Sequence, residues 1–155
     1  MALLVVRVRG TVNVPYWAVT TLKNLYLNKK FSATLVPETS EYLGMLRKIS
    51  QWVAWSKADR EIVKTLIENR GKNKNPGSAS LKKTGNSKED YRGIDELVDV
   101  IVNDKIKFSE QNNVKPWFSL NSPKGGFKKS IKRQFSDGGT LGNNKDLLEI
   151  VKKMI

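Results

Sequence analysis

The closest set of carboxylates that a single predicted element can hold is Asp95, Glu96 and Asp99. On a helix Asp95 and Asp99 share one face, and such a pair can contribute to a divalent-cation site. No third and fourth ligand accompanies them, and acidic side chains in a first helical turn complement the helix dipole without binding anything. Glu38 and Glu41 flank a second predicted helix start and carry the same reading. The chain has no His and no Cys. That removes imidazole and thiolate ligands, disulfides, and any nucleophile that depends on a His base. Lys83-Thr84-Gly85, with Ser80 three residues before Lys83, matches fragments of a Ser-nucleophile signature, but the Ser-Asp-Asn element is missing. Neither Gly-x-x-x-x-Gly-Lys-Ser nor Gly-x-Gly-x-x-Gly occurs, so nucleotide-phosphate loops are missing too. The residues offer no catalytic set, no metal site, no cofactor and no small-molecule substrate.

What they do offer is positive charge. Among 155 residues, 28 Lys and Arg stand against 15 Asp and Glu, a net +13. A charge of that size on a short chain attracts polyanions, with nucleic acid ahead of a membrane surface, since no helix is both strongly amphipathic and Lys-rich on its polar side. The segment from Lys115 to Arg133 contains no acid at all. Within it Ser122-Pro123-Lys124-Gly125-Gly126-Phe127-Lys128-Lys129 sets bare backbone beside lysines and one ring. Glycine lets N–H groups approach phosphates, Lys neutralises charge, and Phe127 can stack on a base, which suits irregular RNA better than a duplex. Lys132 and Arg133 continue the run. A plain turn is the competing reading of the glycine pair. Four tryptophans, Trp17, Trp52, Trp55 and Trp117, divide between core and binding roles.

The elements that must position these groups follow from periodicity. Residues 3–9 read as a strand in which Leu4, Val6 and Val8 face helices while Arg7 and Arg9 point to an open, cationic face. Pro15 opens a helix with Ala18, Thr21, Leu22, Leu25 and Tyr26 on one side. Phe31–Val36 is a second strand, Thr39 or Ser40 caps a second helix ending in Arg47 and Lys48, and Gln51–Trp55 is a third strand. Trp52 and Trp55 then fall on opposite faces. Together these give a ferredoxin-like β-α-β-α-β core, an α+β unit over residues 1–57 with two helices on one face of a three-stranded sheet. It carries eight basic residues against Glu38 and Glu41. Residues 58–155 form an extension of helices and loops: helices over 59–69, about 94–103 and about 145–155, and an exposed polar loop over 71–92 that holds Lys82 and Lys83. No apolar run approaches the roughly 20 residues of a bilayer span, and no secretory leader precedes the first strand, so a cytoplasmic protein with no membrane partner is expected.

Strand, helix, strand and then Glu38-Thr39-Ser40-Glu41-Tyr42-Leu43-Gly44-Met45-Leu46-Arg47-Lys48 resembles the core of the large-subunit ribosomal protein L-thirty family. Ser122-Pro123 with Gly125-Gly126-Phe127-Lys128-Lys129, Gly138-Gly139 and Gly142-Asn143 resembles the C-terminal extension of its archaeal branch, related to eukaryotic L-seven. The order and spacing of these motifs span nearly the whole chain, and the first strand begins without the long basic arm of the eukaryotic relatives. Ser56 and Lys124 depart from the usual archaeal pattern. The resemblance implies a non-enzymatic constituent of the large ribosomal subunit that binds ribosomal RNA near the domain II helices and the 5S RNA, beside neighbouring ribosomal proteins. On this reading the RNA-binding residues are Arg7, Arg9, Arg47, Lys48, Lys82, Lys83, Lys124, Gly125, Gly126, Phe127, Lys128, Lys129, Lys132 and Arg133. Two rivals stand beside it: a free-standing RNA-binding module, which lacks the usual aromatic signature in its third strand, and a Mg²⁺-dependent RNA-processing enzyme.

Overall fold

The computed structural model describes residues 2–71, 94–103, 108 and 115–155, without the side chains of residues 94–97. In chain order the elements are β1 (Ala2–Arg7), α1 (Tyr16–Asn24), β2 (Ser32–Pro37), α2 (Ser40–Lys48), β3 (Val53–Lys57), α3 (Arg60–Arg70), α4 (Ile94–Val102), β4 (Phe118–Ser119), β5 (Ser130–Gln134), β6 (Gly139–Asn143) and α5 (Leu147–Lys152). The first five give the expected β-α-β-α-β unit. β1 lies at its centre and runs antiparallel to both neighbours, with Val5 opposite Thr34 on one side and Trp55 on the other.

Alternation along β1 sorts its side chains into two sets, and the structure reverses their expected roles. Leu3 and Val5 meet α1 and α2, packing with Ala18, Leu22, Leu46, Ile49, Trp52 and Trp55. Leu4, Val6 and Val8 face the other way and are covered by α3, α4 and α5 through Ile62, Val63, Leu66, Val98, Ile101 and Val151. Period-2 spacing says which residues share a face, not which face a helix covers. The signal for cover on both sides was the unbroken run Ala2-Leu3-Leu4-Val5-Val6, and β1 is indeed buried at all six positions. Trp52 precedes β3 instead of sitting in it, so Trp52 and Trp55 join one cluster and not opposite faces. Tyr26 lies beyond α1 at φ +58 and is exposed, not on the helix's apolar side.

Among the described residues the sheet has six strands in the order β4-β2-β1-β3-β6-β5, where the residues predicted three. β6 runs parallel to β3 (Ala54 opposite Gly142), β4 pairs antiparallel with β2, and β5 forms an edge. These additions come from the stretch read as glycine-rich loop. Between β5 and β6 a single 3-10 turn, Phe135–Asp137, ends at Gly138 with φ 75. At Gly139 an added Cβ would collide with the Arg133 carbonyl, so the two segments cross at a distance that only glycine permits. α3 and α4 match their predicted spans to within a residue or so, and α5 is shorter than its prediction. The predicted 71–92 loop, with Lys82 and Lys83, lies outside the described residues apart from Gly71.

Candidate nucleic-acid interface

Arg7 does not face an open surface. It is 2% exposed. Its Nη1 donates to the carbonyls of Leu27 (2.8 Å) and Asn28 (2.9 Å), Nη2 to Gly10 (3.0 Å) and Nε to Arg9 (3.0 Å). Burial pulls its pKa below the ordinary arginine value by desolvating the charge. The reason is the reversed sheet: Arg7 follows Leu3 and Val5 onto the covered face, and the loop after α1 folds over it. Arg9, two residues on, is half-exposed and reaches the Gln51 carbonyl at 3.3 Å. Its charge remains at the surface.

The glycine loop is both a turn and an open surface. Gly126 N–H donates to the Pro123 carbonyl at 2.9 Å, with Gly125 at φ 80 and Gly126 at φ 72. An added Cβ at either position meets no protein atom within 4 Å. The loop is fastened from behind: Lys124 N–H donates to the Lys153 carbonyl at 3.0 Å, and Phe127 stacks on Phe31 with centroids 6.1 Å apart. Lys129 reaches Asp146 at 2.7 Å and sits 4.6 Å over the Phe135 ring. Asp146 is held by its own N–H donating to the side-chain oxygen of Asn144 (2.8 Å), and the buried Asn144 amide donates to the Thr140 carbonyl (2.9 Å). A cavity of about 110 Å³ lies between the loop and α5, where Asp146 and Glu149 accompany Lys128, Lys129 and Lys153. Those carboxylates disfavour phosphate on the inner side. Lys124, Gly125, Gly126 and Lys128 are exposed and present the side on which a polyanion can lie.

The remaining candidates gather partly at the same end of the sheet. Phe31 N–H donates to the Arg7 carbonyl (2.7 Å) and Leu120 N–H to the Phe31 carbonyl (2.9 Å), which ties the glycine loop to the end of β1. Gln134, closing β5, donates to the Ser50 carbonyl just beyond α2 (3.2 Å), bringing the Arg133 end of the edge strand towards Arg47 and Lys48. Lys132 and Arg133 are exposed on β5. Arg47 and Lys48 are exposed in the last turn of α2, favourably placed for its dipole. The residues alone did not single out Lys30, whose Nζ lies 4.6 Å over Phe31, the partner ring of Phe127. A Lys-Phe pair opening a strand was the available clue. Asp99 is paired with Arg60 at 2.9 Å, and the described residues contain no cluster of three or more potential metal ligands. Nor do they contain a helix long and apolar enough to cross a membrane.

The family model described as "Ribosomal protein L30p/L7e" matches residues 3–53, from β1 to the start of β3. Over 154 residues the chain is 40% identical to the protein named "Large ribosomal subunit protein uL30" of Cenarchaeum symbiosum, covering 99% of this chain and 98% of that one. The chain belongs to the L30p/L7e family. Proteins of the same name from Nitrosopumilus maritimus (38% identity, 99% of this chain and 98% of that one) and Korarchaeum cryptofilum (37%, 97% and 93%) are similar over the same extent. The likeness to these archaeal L30p/L7e proteins therefore covers β4, β5, β6 and α5 as well as the first 53 residues, as the glycine motifs of the extension implied.

Proposed function

We propose that the chain is a structural constituent of the large ribosomal subunit, in the cytoplasm, and that it binds ribosomal RNA by neutralising phosphates and matching shape. The observation that carries this is the likeness to large-subunit proteins across 99% of the chain. The net +13 supplies the attraction, and the exposed glycine loop supplies a surface with backbone access. Its role is architectural, not enzymatic. The RNA contacts are Arg9, Arg47, Lys48, Lys82, Lys83, Lys124, Gly125, Gly126, Phe127, Lys128, Lys129, Lys132 and Arg133, in the region of the domain II helices and the 5S RNA, with neighbouring ribosomal proteins alongside. No observation favours the metal-dependent enzyme, because Asp99 already serves an ion pair to α3.

The direct test is sedimentation. In a lysate at moderate salt the protein should travel with large subunits; recovery at the top of the gradient would refute the proposal. The loop itself is tested by a paired melt and RNA titration of Gly125→Ala with Gly126→Ala. Positive φ at both positions makes each alanine cost about 1 kcal/mol of stability. If phosphate or sugar lies against this backbone, the methyls also push the RNA away, and affinity falls further than the stability loss explains. A lower melting temperature with native affinity would leave the loop a structural turn only.

A further inference from the structure

The large apolar side chains that stand exposed among the described residues are Val12, Tyr16, Trp17 and Tyr26, all within fifteen positions of one another. Three of them, Val12, Tyr16 and Trp17, fall within six positions, from the loop after β1 into the first turn of α1. This helix buries Ala18, Thr21 and Leu22, which turns Tyr16 outward at 87% exposure. Trp17 stands at its flank, 44% exposed, with one edge against Trp52 at a centroid distance of 5.9 Å. A single exposed hydrophobe is ordinary, but an aliphatic and two aromatics at one helix end make a patch that calls for a partner.

The charge around the patch says which partner. The first acidic residue of the chain is Glu38, so β1, the loop and α1 carry no carboxylate, and their surface cations are Arg9 and Lys23, Arg7 being buried and Lys30 lying over Phe31 beside the glycine loop. From α2, Lys48 places its Nζ 5.4 Å from the Trp17 centroid, with Arg47 beside it, while Glu41 lies in the opposite, first turn of that helix. An exposed ring with a cation over it, on a stretch of chain without carboxylates, fits an unpaired nucleotide: the ring takes the base and the cation takes the phosphate. Resting on the ribosomal reading above, we infer that the N-terminal end of α1 is a second RNA-binding surface, distinct from the glycine loop, where Tyr16 and Trp17 stack on unpaired bases and Lys48 meets their phosphates.

The full-length protein can be titrated with a single-stranded oligoadenylate and with an RNA duplex of the same length. Tyr16→Ala removes an outward side chain and should lower oligoadenylate affinity about five-fold or more, leaving duplex affinity within two-fold. Trp17→Ala should do the same and Trp17→Phe should restore binding, which guards against a mere loss of the Trp52 contact. Unchanged oligoadenylate affinity in the Tyr16→Ala, Trp17→Ala double variant would overturn the inference, as would an equal loss on the duplex. If the double variant binds oligoadenylate normally yet fails to enter large subunits, the patch docks a neighbouring protein and the RNA inference falls. Should the unaltered chain fail to sediment with large subunits, the ribosomal reading falls instead, and the oligoadenylate titration still decides this one.

Discussion

Arg7 is a cation used inside the fold: its guanidinium fork joins the end of β1 to the loop after α1 through four carbonyl acceptors. Replacing it by Met keeps the length but leaves those carbonyls short of a donor. We expect Arg7→Met to lose about 3 kcal/mol or more of stability in urea unfolding, with RNA affinity unchanged at a temperature where the variant stays folded. A loss of affinity beyond the loss of folded protein would return Arg7 to the interface. Arg9→Glu, by contrast, should leave stability nearly native and weaken RNA binding, since its side chain is half-exposed and its one hydrogen bond is long. Strand alternation correctly put Arg7 on the opposite side of β1 from Leu4 and Val6, but β1 ends at Arg7 and the N–H groups of Val8 and Arg9 both reach the Trp52 carbonyl, so the alternation does not extend to Arg9. What it could not supply was the fold of residues 25–28 over Arg7, because that depends on Tyr26 and Phe31 adopting positive φ, which neither residue type advertises.

Among the elements, those with a strong local period were legible. α3 was expected at 59–69 and runs Arg60–Arg70, since Ile62, Val63, Leu66 and Ile67 mark one stripe. β4, β5 and β6 were not legible: β4 has two residues, β6 is Gly-Thr-Leu-Gly-Asn, β5 pairs only with β6, and β4 and β6 find β2 and β3 far off in the chain, as the 82-residue separation of the Thr34–Pro116 hydrogen bond shows for β4 and its neighbour. Two predictions belong at this scale. Asp99→Asn breaks the pair that joins α4 to α3, and as both partners are about half-exposed it should cost less than about 1 kcal/mol and spare RNA affinity. A large binding loss rescued by Mg²⁺ would revive the metal reading. On β5 and the glycine loop, Lys124, Lys128, Lys132 and Arg133 should each reduce the magnitude of the salt slope of RNA binding by about one when neutralised. Lys129→Ala should change it less, because its ammonium already faces Asp146 at 2.7 Å. Equal slopes for all five would mean that the Asp146 pair opens on RNA.

At the scale of the molecule, the 3–53 match marks a unit whose second sheet face depends on later residues. A fragment ending at Lys57 would leave Leu4, Val6, Leu35 and Ala54 without α3, α4 and α5 above them. Such a fragment should unfold without a cooperative transition and bind a hydrophobic dye, whereas a sharp melt would show that α1 and α2 suffice. The parallel pairing of β6 with β3 also sets a timetable. Synthesis delivers β3 long before β6, and the Gln134–Ser50 bond spans 84 residues, so the last sheet contacts must close a very large loop. Refolding should accordingly be slow for a chain of this size. Nascent chains halted before Gly139 should stay open to protease within residues 2–57 and become resistant only after Met154 has left the exit tunnel, which makes the final strand and helix the step that closes the fold.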